Sequence, residues 1–256
     1  MNNKIKLTVD NNLSYCLYKA KSTLWYFIEK VQEKKLDYFA IKFKNENDIY
    51  VWLENVKYEN EYFSGTLSES KEKKTIPIQE VVDWMLIDNN RLIGGYTIRH
   101  YRNELSKDER LDFDIDFGLK IDNGNDFFYP DLSTPEGAII TLEIFYTEKS
   151  LDGALSCKDF YKEAENVLLE AGKDLDEELI QETAELLKLY FIEHLQKNGM
   201  PNFTDVERVF ERIIYKEEEN KQLIKEKIIY SNGEETINKF WLAKNEEKKW
   251  KVLDLI

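Results

Sequence analysis

A chain of 256 residues, with 42% apolar and 34% charged side chains, is long enough for two ordinary domains and too apolar for a disordered polymer. Its net charge of −14 sets it against nucleic acid and anionic lipid, because phosphate contacts need Lys and Arg. Only 4 Pro and 10 Gly are present, which leaves no low-complexity linker and no glycine-rich phosphate cradle. The charge is uneven: residues 1–118 hold 18 Lys and Arg against 20 Asp and Glu, whereas residues 119–256 hold 18 against 30. An acidic second half of this kind steers a basic partner.

Met1 to Asp10 lacks the apolar run of a signal peptide, and no stretch approaches the roughly 20 apolar residues of a membrane span. Cys16 and Cys157 are far apart in helical patterns, which predicts two thiols in a reducing compartment, the cytoplasm. From Leu13 to Val31 apolar residues recur at helical spacing, predicting one helix of about five or six turns. Phe39, Ile41 and Phe43 alternate as a strand, and Ile49 to Tyr58 and Glu61 to Leu67 follow as two more. Ile76-Pro77-Ile78 predicts an edge segment, since Pro cannot donate to a ladder. Val82 to Ile87 and Leu92 to Ile98 flank Asn89-Asn90, a pair suited to a hairpin turn. One helix followed by several short strands predicts a curved antiparallel sheet, or small barrel, with the helix packed on it.

Tyr101 to Arg110 is expected to be helical, with Ser106 and Glu109 offering a capping box. The alternation of Asp112, Asp114 and Asp116 with Phe113, Ile115 and Phe117 predicts a strand with a solvated acidic face. With Asp122 and Asp126 this stretch lacks the ligand order of a calcium loop. The domain boundary is placed near residue 118, so that the expected organisation is a domain over 1–118, an acidic connector over 119–131 and a second domain over 132–256. In the second domain Thr134 caps a helix with Pro135 at its first position, and short helices follow around Leu151 to Cys157 and Phe160 to Ala171. A long helix spans about Glu177 to Lys197. Phe203 to Tyr215, Gln222 to Tyr230, Thr236 to Ala243 and Lys249 to Leu255 predict an antiparallel meander. Both halves are therefore expected to be α+β.

Tyr50-Val51-Trp52-Leu53, Phe63-Ser64-Gly65-Thr66-Leu67, Val82-Asp83-Trp84-Met85 and Leu92-Ile93-Gly94-Gly95-Tyr96-Thr97-Ile98-Arg99 carry a resemblance. Through them residues 36–118 resemble domain-of-unknown-function family 2314, a bacterial family that implies a fold and no chemistry. Residues 132–256, by their order of elements, by Ser133-Thr134-Pro135-Glu136-Gly137-Ala138 and by the closing Trp250-Lys251-Val252, resemble the NTF2-like, or SnoaL-like, cone fold. That resemblance implies helices laid on an antiparallel sheet, a cavity between them and a sheet face able to form a homodimer. Small-molecule enzymes, ligand binders and immunity proteins of toxin systems share the fold, so it does not choose a function.

Only His100 and His194 are available as histidine ligands, and neither Cys has a second Cys or His at ligand spacing, so no metal site and no cofactor are expected. His194 lies one turn past Tyr190 on the apolar side of the long helix and is the single candidate catalytic residue, as a general base, against a reading as a core or rim histidine. Tyr190, His194 and Trp241 are the candidate ligand-binding residues of the cone. Trp84, Tyr96 and Arg99 beside Gly94-Gly95 are the candidate interaction surface, against a reading in which they pack the core. Gly94-Gly95 is read as a bulge or a close backbone approach inside a strand, opening no helix. Two functions survive: a non-catalytic module that binds a basic protein, of the immunity or antitoxin kind, and a small-molecule site in the cone.

Overall fold

The computed structural model describes residues 10–36, 38–122, 125–213 and 219–255. Most of Met1 to Asp10 and the end of the segment Phe203 to Tyr215 lie outside the described residues. The chain divides into two compact units, Met1–Phe127 and Phe128–Ile256. The division falls at Phe127/Phe128, inside the stretch expected to be a connector, because Lys120, Asp122, Asp126 and Phe127 are tied to the first unit. The Lys120 N–H donates to Asn90 O at 2.9 Å. Arg91 pairs with Asp122 at 2.6 Å. Lys19 pairs with the buried Asp126 at 2.6 Å, and Phe127 stacks on Tyr26.

In the first unit α1 (Asn11–Ser22) and α2 (Leu24–Glu33) replace the single helix expected from Leu13 to Val31. The Asp10 carboxylate starts α1 by accepting from Leu13 N at 2.7 Å. Thr23 stops it: its hydroxyl donates back to Lys19 O at 2.7 Å and meets Tyr96 Oη at 3.0 Å, which holds the residue outside helical geometry.

The strands are β1 (Tyr38–Lys44), β2 (Tyr50–Glu59), β3 (Tyr62–Leu67), β4 (Lys73–Pro77), β5 (Val81–Asp88) and β6 (Arg91–Gly94). They form one antiparallel sheet in the order β4-β3-β2-β1-β5-β6. Only residues 78–80 join β4 to β5, although three strands lie between them in the sheet. Four strand spacings of about 4.8 Å exceed the roughly 14 Å that four Cα steps can cover, so the sheet must curl. A bulge in β2 between Glu54 and Lys57, where Asn55 has φ +53°, lets its first half pair with β1 and its second with β3. β4 and β6 remain edges, so the curved sheet stays open. Phe27, Phe39, Phe43, Phe63 and Trp84 fill the face covered by α1 and α2.

β6 ends sooner than Leu92 to Ile98 suggested, and α3 (Tyr96–Glu104) begins at once. Gly94 and Gly95 both adopt positive φ, +70° and +64°, and Gly95 is the N-cap of α3. The pair therefore does open a helix, which corrects the bulge reading. A Cβ on Gly94 would stand 2.5 Å from the Trp84 ring. α4 (Lys107–Phe117) is also a helix where the acidic alternation suggested a strand. The Ser106/Glu109 capping box nucleates it, Phe113 stacks on Phe117 one turn later, and Asp114 accepts two bonds from Arg102 at 2.6 Å.

The second unit opens with α5 (Pro135–Thr147), capped by Thr134, then α6 (Leu151–Ser156), α7 (Phe160–Glu170) and α8 (Glu177–Asn198). Strands β7 (Glu207–Arg212), β8 (Lys221–Ile229), β9 (Glu235–Lys244) and β10 (Trp250–Leu255) make an antiparallel meander. α5 packs on β8 and β10, and α7 packs on β10. α8 rests on α7 through Ala164, Leu168, Ile180 and Leu187. The unit is α+β with helices on an antiparallel sheet, as expected.

Candidate functional site

Tyr190 and His194 do not line a cavity. Both lie on the outer side of α8, with Tyr190 67% exposed, their rings 6.2 Å apart and His194 Nδ1 bonded to Asn198 at 3.2 Å. Trp241 sits elsewhere, on β9 opposite Leu223, with the Lys221 ammonium 4.4 Å from its ring centroid. Tyr190 and His194 thus stay together on the outside of α8 and Trp241 lies apart from them, because α8 turns the Ile180, Leu187 and Leu195 side of its stripe inward.

What α8 does present is an apolar strip in water. Leu186, Leu189 and Tyr190 are 67%, 57% and 67% exposed, and Leu179 lies two turns earlier on the same helix. Glu177, Glu178, Glu182, Glu185 and Glu193 outnumber Lys188 and Lys197 along it. An apolar patch with one sign of charge around it is the usual composition of a protein docking surface.

Beneath α5 the second unit buries acid. Glu136 and Glu143, two turns apart on α5, both point at β7. Arg212 holds Glu136 by two bonds at 2.9 and 3.2 Å, a fork-to-fork pair. Arg208 Nε lies 2.6 Å from Glu143 Oε2 and 3.6 Å from Oε1 of Glu226 on β8. Glu226 is fully buried and Glu143 is 2% exposed. Burial, and then the neighbouring Glu143 carboxylate, push the Glu226 carboxyl well above the ordinary carboxylate range, and burial raises Glu143 against the pull of Arg208. A further buried pair joins Lys158 to Glu163 at 2.7 Å; burial lowers the ammonium and raises the carboxyl.

In the first unit the residues singled out as an interaction surface are interior. Trp84 is fully buried, stacks on Phe27 and donates its indole N–H to Ala20 O at 3.0 Å. Tyr96 is 4% exposed and meets Trp84 edge-on. Arg99 donates to Gly94 O, Leu92 O and Asp122 O, satisfying carbonyls left by the end of β6. Alternation on β5 decides this: Trp84 faces the helices, and Asp83 faces the opposite way. Fully buried, Asp83 accepts from Trp84 N, Tyr96 N and Thr97 N and from the Thr97 hydroxyl, which fixes α3 to the sheet at its positive end. Burial raises its carboxyl, opposed by Lys42, whose own ammonium burial lowers. A shallow groove of about 300 Å³ lies between Phe43, Val51, Trp52, Leu67 and Lys74. Lys74 fills part of it from within the chain, with its ammonium 5.7 Å from the Phe43 ring centroid and 3.7 Å from Glu46.

The Trp84, Gly94-Gly95 and Asp83 arrangement lies within a recognisable region. Residues 10–121 match the model of DUF2314, an uncharacterized protein family conserved in bacteria. A protein of Neisseria meningitidis serogroup B named for ankyrin repeats is 28% identical over 79 residues, covering 27% of this chain and 31% of that protein. The chain thus spans about a third of the curated relative it matches. No solved structure matches.

Within the DUF2314 region the matched residues build a core, and among the described residues no three His, Cys, Asp or Glu side chains stand close enough to share a metal ion. Sequence reasoning missed the acid cluster outside that region. Its signal was present in the pattern of β8, where Gln222, Ile224, Glu226 and Ile228 share one buried face. A Glu in the apolar register of a strand, facing two Glu two turns apart on an otherwise apolar helix, marks a charged interior.

Proposed function

We propose that this protein is a non-catalytic binding module whose second unit docks a basic protein on α8. The observation that carries this is the exposed strip of Leu186, Leu189 and Tyr190 on a helix where five Glu stand against two Lys. Acidic flanks make a second copy of the same face a poor occupant, and they repel anionic lipid. An apolar surface bordered by Lys or Arg is the complementary partner, of the kind an immunity-like or antitoxin-like protein holds. Two free thiols, Cys16 and Cys157, support a reducing, cytoplasmic setting. Helices packed on a four-stranded antiparallel meander support an NTF2-like reading of the second unit. The relative named for ankyrin repeats, itself three times longer than the shared segment, is compatible with a role in protein interaction.

The test compares wild type with a Leu186→Asp, Tyr190→Ser variant, each tagged and expressed in a DUF2314-bearing bacterium. The expected result is a stoichiometric basic protein that co-elutes with wild type, is released by salt and is absent with the variant. A partner held equally by both proteins overturns the assignment to α8. A wild-type protein that elutes alone as a dimer and becomes monomeric in the variant replaces the basic partner with a second copy.

A further inference from the structure

Among the described residues, the interior between α5 and the sheet sets Glu136, Glu143 and Glu226 against Arg208 and Arg212. Glu136 is matched by Arg212, which approaches it with both Nε and Nη2. Glu143 and Glu226 have one guanidinium between them, that of Arg208. Arg208 favours Glu143, at 2.6 Å against 3.6 Å, and neither Glu226 oxygen has a hydrogen bond of good geometry. The uncharged Asn238 on β9 also faces Glu226, while on the same helix and strand Glu136 and Arg212 pair with each other. With both carboxyls ionised the cluster would carry one uncompensated charge, and an isolated buried carboxylate costs several kcal/mol unless it takes up a proton. Two buried carboxyls in one site resolve this by ionising in turn, so that only one is charged over a broad range of pH.

We propose that Glu143 and Glu226 hold a single proton between them at neutral pH, and that its loss loosens α5 from β7 and β8. The second unit is then a proton-loaded fold. The ionised member, Glu143, keeps the Arg208 bond, and the protonated member, Glu226, donates toward Glu143 or Asn238. Raised carboxyl affinity in the folded state means that the folded protein binds more protons than the unfolded chain. The stabilisation is fully present below the unfolded value of about 4.3 and is lost as pH rises through the raised folded value. One linked proton corresponds to a tenfold change in the folding equilibrium per pH unit within that window. The buried Lys158, whose ammonium is lowered, and surface carboxyls such as Asp114, which Arg102 lowers, tilt the profile in the opposite sense. The pair is therefore read by difference.

The experiment follows urea unfolding of the full chain and of Glu226→Gln between pH 5 and 9. Glutamine keeps the shape and neutral donor of the protonated acid and has no proton to lose. The expected result is similar stability of the two proteins at pH 5 and a growing advantage of the variant as pH rises, approaching tenfold per unit in the folding equilibrium. Parallel profiles would overturn the proposal. Should the variant not fold, the side-chain carboxyl carbon signals of the wild-type protein decide instead. One Glu carboxyl still protonated at pH 7 supports the shared proton, and every Glu titrating near 4 to 5 sinks it.

Discussion

The two units differ in how many large apolar side chains they leave in water. Among the described residues, the first unit exposes three large apolar side chains, Tyr62, Leu111 and Ile115, and the second exposes eleven. The second unit also buries Glu136, Glu143, Glu163 and Glu226, and the first buries Lys19, Asp83 and Asp126 beside a core of Phe27, Phe43, Phe63 and Trp84. A unit built around aromatic rings draws its stability from area removed from water. A unit that buries paired charges gains little net stability from them, and its outward Leu and Tyr remain available to a partner. The contrast is between a first unit closed around aromatic rings and a second unit that leaves more of its large apolar side chains in water.

The strongest way to break this contrast is to remove the centre of the aromatic core. Trp84→Ala is expected to destabilise the first unit by about 3–5 kcal/mol, since the ring touches Phe27, Tyr26 and Tyr96 and its N–H would leave Ala20 O unpaired. Urea unfolding followed by circular dichroism would show it; a loss under 1 kcal/mol would mean that the core repacks freely. Next in size is the buried ion pair that ties residue 126 to α1. Asp126→Ala leaves Lys19 buried beside Tyr15 and Tyr96 and should cost about 3 kcal/mol by the same measurement. A negligible cost would make residues 120–127 a connector after all.

On the second unit the expected effects on stability are small. Leu186→Ser and Tyr190→Ser should each change stability by no more than about 0.5 kcal/mol, because both side chains already meet water. If either variant lost more than about 2 kcal/mol, α8 would be a core element and its strip no docking face. The smallest perturbation concerns a thiol. Burial pushes Cys16 up to about 11, above the pull of Lys19, so its thiolate is scarce at neutral pH. Alkylation at pH 7.5 should run roughly 100-fold slower than for an exposed cysteine in the same buffer. Rapid labelling at Cys16 would show that α1 opens from the sheet.

Local pattern determined much of this protein. Alternation at Phe39, Ile41 and Phe43, the Asn89-Asn90 turn, the Ser106/Glu109 box and the Thr134-Pro135 helix start are short-range features, and each stands in the structure where the residues placed it. The acidic run over 112–117 misled because its strand alternation competes with the i, i+4 pairing of Phe113 and Phe117, and the capping box upstream and Arg102 on α3 both support the helix. Gly94-Gly95 could not be read alone either, since the carboxylate that caps α3 comes from Asp83, more than ten residues earlier on another strand.

The candidate sites divide along the same line. Helical spacing put Tyr190 and His194 on one stripe of α8, but which side of that stripe is wet depends on where α7 packs. For Trp84 and Tyr96 the sequence left a recognition surface open beside core packing, and the pleat of β5 with the packing of α3 put both in the core. The Glu143–Glu226 pair joins a helix to a strand 83 positions later, with Arg208 from a third element. Sequence by itself settled the class of each half, its charge and most of its local caps, which depend on neighbours a few residues away. Tertiary structure decided which faces are buried and which acids meet, because burial and Coulomb interaction act through space and not along the chain.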